Sequence, residues 1–246
     1  MSDSITISNR PDKVWQTSAL VATYLEGVRG GIPLAQEQID VMLRLIAAAG
    51  GERALSFLDL GCGDGVLGNA VLDRFPSARG VLADFSAPML DAAQRRLAQY
   101  AGRAQYVHAD YASLDWVDAV RPFAPFDAVV SGYSIHHQPD RRKRQVYGEI
   151  YGLLAAGGVF VNVEHVSSPT EWLAAMQDEL FVDNLHAIHP GQTRAEVAAV
   201  YYNRSDKAAN ILAPVELQCQ WLREIGFTDV DCYLKIFEEA VFGGRK

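Results

Sequence analysis

From residue 57 onward, short apolar runs alternate with amphipathic segments. Five runs read as strands: LSFLDL (55–60), RGVLAD (79–84), AQYVHAD (104–110), FDAVVSGY (126–133) and GVFVNVEHV (158–166). Between them the pattern predicts helices at about 66–74, 86–100, 112–121 and 140–156. This is the rhythm of parallel strands joined by crossover helices. Ser86 and Asp140 are N-cap residues in this scheme, and Gly157-Gly158 stops the last helix where a left-handed residue is needed.

The C-terminal quarter departs from that rhythm. Pro214 in a first helical turn, the apolar series Leu217, Trp221, Leu222, Ile225, and Gly226 as C-cap define one helix. Two strands follow, DVDCYLKIF and AVFGGRK, with Glu238-Glu239 between them, which reads as a hairpin. The expected architecture is therefore α/β, a parallel sheet ending in an antiparallel hairpin. Two segments lie outside this core. GGIPLAQEQIDVMLRLIAAAGG predicts a helix with Ile39, Met42, Leu43 and Ile46 on one face, and residues 167–213 carry two capping boxes, Ser168 with Glu171 and Thr193 with Glu196. We expect residues 1–50 to form an N-terminal helical cover and 51–246 the main domain, with a helical lid inserted at about 167–213. Both covering segments belong over the carboxyl ends of the strands, where open α/β sheets bind ligands.

Composition narrows the picture in four respects. At 246 residues and 49% hydrophobic, the chain is long and apolar enough for one sizeable core. The N-terminal stretch MSDSITISNRPDKVW lacks an apolar leader and no run reaches membrane-spanning length, so a cytoplasmic protein without a membrane partner is expected. Cys62, Cys219 and Cys232 form neither a C-x-x-C motif nor a disulfide framework, which suits a reducing compartment. The formal charge of −8 argues against a broad nucleic-acid footprint. The basic run Arg141-Arg142-Lys143-Arg144 reads as a solvated helix face, although a local patch leaves a tRNA partner open.

The richest chemistry lies in FLDLGCGDGVLG, residues 57–68, which fits two registers. Counted from Gly61 it is an acid-x-Gly-x-Gly-x-Gly loop (Asp59, Gly61, Gly63, Gly65). Counted from Gly63 it is G-x-G-x-x-G (Gly63, Gly65, Gly68), a dinucleotide fingerprint. The strand ends at FLDL, so the turn begins at Gly61, which favours the first register. Charge points the same way: a carboxylate at Asp59 repels a pyrophosphate and attracts the ammonium and sulfonium of S-adenosylmethionine. Asp84, closing the second strand, is placed to accept from ribose hydroxyls. Phe85 can face an adenine ring, and Asp110 at the end of the third strand can accept from the adenine amino group. Three acids at the ends of three successive strands beside a glycine loop are hard to explain as helix caps alone.

These residues resemble the class I S-adenosylmethionine-dependent methyltransferases. LDLGCGDG is similar to that family's first motif, VLADFSAPML to its second-strand motif, HADY to its third and FDAVVSGYSIHH to its fourth, with LLAAGGVFVN similar to the approach to strand five. The resemblance implies a Rossmann-like seven-stranded sheet in the order 3-2-1-4-5-7-6, strand seven antiparallel, with helices on both faces. It also implies S-adenosyl-L-methionine as cofactor. Carried over by position, Gly61 and Gly63 approach the methionine part and Asp59 lies near its amine. Asp84 holds the ribose, Phe85 and Met89 flank the adenine, Asp110 and Tyr111 contact its edge, and Ser131 offers backbone to the amino-acid end. Within the family, GGIP and KAANILAPVELQCQWLREIGFTDV resemble carboxy-S-adenosylmethionine synthase, where an arginine upstream of the late helix meets the ligand's carboxylate. Arg204 falls near that place once a gap is allowed.

Methyl transfer is an in-line displacement in which the protein mainly positions and desolvates the partners. An alcohol, phenol or protonated amine acceptor needs a base within reach of its proton. His136 is the first candidate, with His137, Glu164, His165 and Tyr133 also at the carboxyl edge. Glu164, His165, His186 and His189 invite a metal reading, but Pro190 ends the H-x-x-H helix, so none is expected. Trp172, Phe181, Tyr201 and Tyr202 either line a substrate pocket or pack the lid. The leading expectation is a methyltransferase acting on a small molecule, as a monomer or homodimer. The alternatives are a carboxy-S-adenosylmethionine synthase-like enzyme and a non-catalytic cofactor-binding module.

Overall fold

The structure is a computed structural model that describes residues 10–50 and 55–246. Residues 1–9, part of the stretch searched for a leader, lie outside the described residues, as do 51–54 at the expected domain boundary.

The apolar runs become strands β1 (Ser56–Leu60), β2 (Arg79–Asp84), β3 (Ala104–His108), β4 (Phe126–Gly132) and β5 (Leu154–His165), and the hairpin supplies β6 (Thr228–Ile236) and β7 (Glu239–Arg245). They form one seven-stranded sheet in the order β3-β2-β1-β4-β5-β7-β6. The pairs among β1 to β5 are parallel, while β7 runs antiparallel to β5 and β6. This is the expected topology.

Alternation along each strand sends side chains to two cores. Leu58 and Leu60 of β1 join one, with Tyr147 and Ile150 of α6 (Asp140–Leu153) and Leu222 of α9 (Val215–Ile225). Phe57 joins the other, with Met42 and Ile46 of α2 (Ala35–Gly50), Val71 of α3 (Val66–Arg74) and Ala93 of α4 (Ala87–Arg96). The expected apolar face of α2 is the one buried: Met42 and Ile46 are inaccessible, and Ile39 and Leu43 pack beside them. Between β3 and β4 the chain makes the short α5 (Trp116–Val120) and the helical turn Arg121–Phe123. The insertion after β5 forms α7 (Glu171–Ile188) and α8 (Arg194–Tyr202) around a small core of Phe181, Val182, Leu185, Val197 and Tyr201. Ahead of α2 lie the short turn helix Pro11–Gln16, α1 (Ser18–Glu26) and the turn Val28–Gly31.

Several element ends differ from expectation. Gly157-Gly158 does not cap α6, which stops at Leu153 with β5 following at once. Gly157 (φ +79°) instead sits in an irregularity of β5. A Cβ on Gly158 would lie 3.0 Å from the Ala155 carbonyl and 3.1 Å from those of Phe126 and Asp127. Asp140 is the first residue of α6, not its cap, and pairs with Lys143 at 2.7 Å. Thr170, not Ser168, caps α7 through the Leu173 amide, whereas the Thr193–Glu196 capping box forms in both directions. Ser86 caps α4 and Gly226 closes α9, as expected. The hairpin turns at Phe237-Glu238, one residue earlier than expected.

Candidate functional site

At the carboxyl end of β1 the glycine loop turns back onto β2. Gly61, Gly63 and Gly65 all take positive φ (+66°, +53° and +79°). The amides of Gly61 and Cys62 donate to the Ala83 carbonyl at 2.8 and 3.0 Å, and the Gly63 amide donates to Asp84 Oδ2 at 2.8 Å. A Cβ on Gly61 would fall 1.9 Å from Ser134 Oγ, so only glycine lets the loop press against the turn after β4.

Asp59 and Asp84 are organised in different ways. Asp84 Oδ1 accepts from the Ser86 amide at 2.8 Å while Oδ2 holds Gly63, which ties the loop to the start of α4. Burial nevertheless pushes its carboxyl up to about 6. Asp59 is 1% exposed, and its Oδ2 accepts from the Gly68 amide at 2.8 Å. Its Oδ1 is buried without a partner, and burial raises the carboxyl to about 7. Gly68 therefore spends its N–H on Asp59, and a Cβ there would meet Leu82 at 3.0 Å. It serves helix packing, and the dinucleotide register has no third amide to offer a phosphate.

These groups face a cavity of about 960 Å³ that Gly61, Gly63, Phe85, Met89 and Tyr111 also line. Tyr111 donates to the Ser134 carbonyl at 2.8 Å. Two expected residues are not in the lining. Ser131 is buried and donates its hydroxyl to the Leu60 carbonyl at 2.7 Å; Gly132, Tyr133 and Ser134 line the cavity in its place. Asp110 is engaged by Arg10, whose Nη1 lies 3.0 and 2.8 Å from its two oxygens, and Arg10 also grips Asp12. The segment ahead of the sheet adds Trp15, Tyr24 and Arg29 to the cavity's walls. Arg29 pairs with Asp64, which Arg96 also holds; although burial pushes the other way, the two guanidiniums keep the Asp64 carboxyl below its ordinary range.

A second cavity of about 600 Å³ adjoins the first, sharing Trp15, Tyr24, Ile32, Tyr133 and His137 as walls. His136 lines it and is 6% exposed. Its Nδ1 meets Glu164 Oε1 at 2.6 Å, and its backbone amide donates to Oε2 at 3.1 Å. Glu164 also accepts from the His165 amide, so the carboxylate is an acceptor throughout and assigns the ring proton to Nδ1. Nε2 is left as the basic nitrogen, with the Asn210 side chain within hydrogen-bonding reach of the ring. Burial first, then His165 and Lys143, holds His136 well below its ordinary value, so it is neutral. His137 is bound through Nδ1 to the Ala209 carbonyl and pushed down to about 3 by burial and His136. His165 pairs with Glu238 at 2.9 Å.

Other candidates fall elsewhere. Among the described residues, no group of His, Cys, Asp and Glu is arranged to hold a metal. His186 lies in the last turn of α7 and His189 follows the helix as its cap. The basic run is only half a solvated face: Arg142 and Lys143 are buried, Arg142 holding Glu149 and the Tyr111 carbonyl, Lys143 holding Asp140. Phe181 and Tyr201 both stack on each other in the lid core and line the second cavity, whereas Trp172 is 69% exposed. Sequence reasoning missed Trp15, Tyr24, Arg29 and Glu239. None sits in a motif, and only folding brings the N-terminal segment and the hairpin turn to the sheet edge. Among the described residues, no helix is long and apolar enough to cross a membrane.

Residues 57–158 match the family described as "Methyltransferase domain". An uncharacterized methyltransferase of Mycobacterium tuberculosis is 38% identical over 110 residues, covering 45% of this chain and 50% of that protein, so the match spans about half of that relative's length. A carboxy-S-adenosyl-L-methionine synthase of Chromohalobacter salexigens is 28% identical over 231 residues, covering 90% of this chain and 79% of that protein. Among solved structures, an O-methyltransferase family protein from Burkholderia thailandensis superposes with a TM-score of 0.66 at 19% identity, covering 98% of this chain and 64% of that one. That likeness concerns the fold.

Proposed function

We propose, on the premise that this chain carries a class I S-adenosylmethionine-dependent methyltransferase domain, that it transfers a methyl group from S-adenosyl-L-methionine to a small acceptor held in the second cavity. The observation that carries this reading is the unpartnered Oδ1 of Asp59, buried in the glycine cradle. A buried carboxylate oxygen without a donor is costly, and an ammonium group satisfies it. Asp84 keeps lone pairs for ribose hydroxyls beyond its two amide bonds. Phe85 and Met89 flank the base, Tyr111 closes its edge, and Arg29 offers a cation for the methionine carboxylate. Asp110 acts through Arg10, anchoring the N-terminal cover over the site.

The bound cofactor supplies a methyl group on a sulfonium, and the C–S bonding pair leaves with sulfur as a neutral thioether. The chain's part is to orient the acceptor, exclude water and receive a proton. His136 Nε2 takes that proton from the acceptor's hydroxyl or amine as the acceptor's lone pair meets the methyl carbon. Glu164 fixes the tautomer and stabilises the imidazolium that forms. The shared wall between the cavities is where donor and acceptor meet.

A second reading rests on Arg204, which lines the second cavity and would suit a carboxylate on a carboxylated cofactor. Asp206 pairs with that guanidinium, as Asp64 does with Arg29. The mass of the ligand that copurifies separates the two. Release of S-adenosylhomocysteine against a panel of hydroxyl- and amine-bearing small molecules tests transfer itself. Acceptor-dependent release is expected, and cofactor binding with no release across the panel would favour a non-catalytic module.

A further inference from the structure

Glu239 opens β7 directly opposite His165 of β5 in the antiparallel register. Its side chain is 2% exposed and lines the second cavity. Gln177 of α7 donates Nε2 to Glu239 Oε1 at 2.6 Å, and Gln177 Oε1 accepts from the Glu238 amide at 3.4 Å, so the lid helix fixes the carboxylate's orientation. The other oxygen, Oε2, is buried with no partner. The Tyr133 hydroxyl lies within hydrogen-bonding reach of the Glu239 carboxylate, but it has one proton, which it gives to Gln38 Oε1 at 2.7 Å. The methyl-transfer mechanism makes no use of Glu239, and a fold with a free choice would not leave a buried carboxylate oxygen empty.

The same cavity presents a second acceptor of protons, His136 Nε2, and aromatic walls from Tyr24, Tyr133, Phe181 and Tyr201. We propose that Glu239 is the specificity-determining residue of this cavity, and that the acceptor is a compact aromatic molecule carrying two hydrogen-bond donors, one for His136 and one for Glu239 Oε2. This rests on the second cavity being the acceptor site. The arrangement discriminates strongly, because a ligand lacking the second donor leaves Oε2 unpaired while a ligand bearing it removes the cost. Glu239→Gln inverts the polarity: the new amide's oxygen turns to Gln177 Nε2 and its NH₂ faces the cavity, offering donors where there was an acceptor.

The test measures dissociation constants, by calorimetry, for protein saturated with S-adenosylhomocysteine. The probes are the three dihydroxybenzenes and three aminophenols, with phenol as the single-donor control and the methoxyphenols as ligands whose second group only accepts. In the wild type at least one two-donor isomer is expected to bind about tenfold or more tighter than phenol. In E239Q that preference disappears and the matching methoxyphenol gains, while S-adenosylhomocysteine binds as before. The melting temperature of E239Q is expected at or above that of the wild type, because the replaced group is an unsatisfied one. No preference for two donors in the wild type, or a preference that survives in E239Q, overturns the proposal. So does a drop in melting temperature that weakens all ligands alike, the mark of a purely structural glutamate. If S-adenosylhomocysteine itself fails to bind, it is the parent reading of the first cavity that falls.

Discussion

In the proposed reaction two side chains carry most of the chemistry, and both work through what burial does to their protons. The Asp59 carboxyl titrates at about 7 when folded, against an ordinary value of 3.8. A raised acid stabilises the fold below its unfolded value and loses that contribution as pH rises through the folded one. The cofactor-free protein should therefore lose stability between about pH 4 and 7 relative to Asp59→Asn, in melting curves compared across that range. Cation binding has the opposite slope, since it requires the ionised carboxylate. S-adenosylmethionine affinity should rise as pH approaches about 7 and then level, and in Asp59→Asn it should be flat and weaker by on the order of tenfold or more. A wild-type affinity independent of pH over that span would remove the charge argument. His136 predicts a different profile. Held well below its ordinary value, it stays a base as pH falls through 6.5, so kcat should show no acid limb there. His136→Ala should cut kcat by about a hundredfold or more without changing cofactor affinity. Glu164→Gln should lower kcat with little change in KM, and equal losses in both would point to a collapsed pocket instead.

At the level of elements, close approach by small residues sets how the covers meet. Gly31 in the turn before α2 packs on α7: a Cβ there would lie 2.4 Å from a Phe181 ring carbon and 2.8 Å from Leu185 Cγ. Gly31→Ala should therefore cost about 1–3 kcal/mol, lowering the melting temperature by several degrees. Weaker acceptor binding should accompany it, because Phe181 lines the second cavity. A variant as stable as the wild type would show that the lid tolerates displacement. The strands, the face of α2 and the hairpin were legible because hydrophobic periodicity and turn chemistry are local signals, whereas the order of the sheet came from the resemblance to the methyltransferases. Helix ends were not. Gly157-Gly158 has the composition of a C-cap and serves a bulge in β5 instead, because α6 passes straight into the strand and the extra residues have to be absorbed there. Asp59, Asp84 and the glycines could be placed from sequence because they lie at the ends of their strands or directly after them. Asp110 and Ser131 also follow or close strands, yet Arg10 claims one and the Leu60 carbonyl the other, pairings that depend on segments far away in the chain. Glu239 had no sequence signal at all, since its meaning comes from Gln177 across the fold.

On the scale of the molecule, the sheet edge supplies a preorganised cradle and the two covering segments turn it into paired cavities. Trp15 and Tyr24 from the N-terminal cover wall both cavities, and the Arg10 link to Asp110 and Asp12 secures that cover, with Gln138 donating to Asp12 at 3.1 Å. A ligand seated in the first cavity thus touches the sheet, the cover and the shared wall together. Binding only to the folded state, it should raise stability by about 2.7 kcal/mol at a hundredfold excess over its dissociation constant. The most direct trial of the whole account is a calorimetric titration of the purified protein with S-adenosylmethionine near neutral pH. Saturable binding at one site per chain is expected, with a dissociation constant of about micromolar order. Absence of heat and of any thermal stabilisation up to millimolar concentration would contradict it.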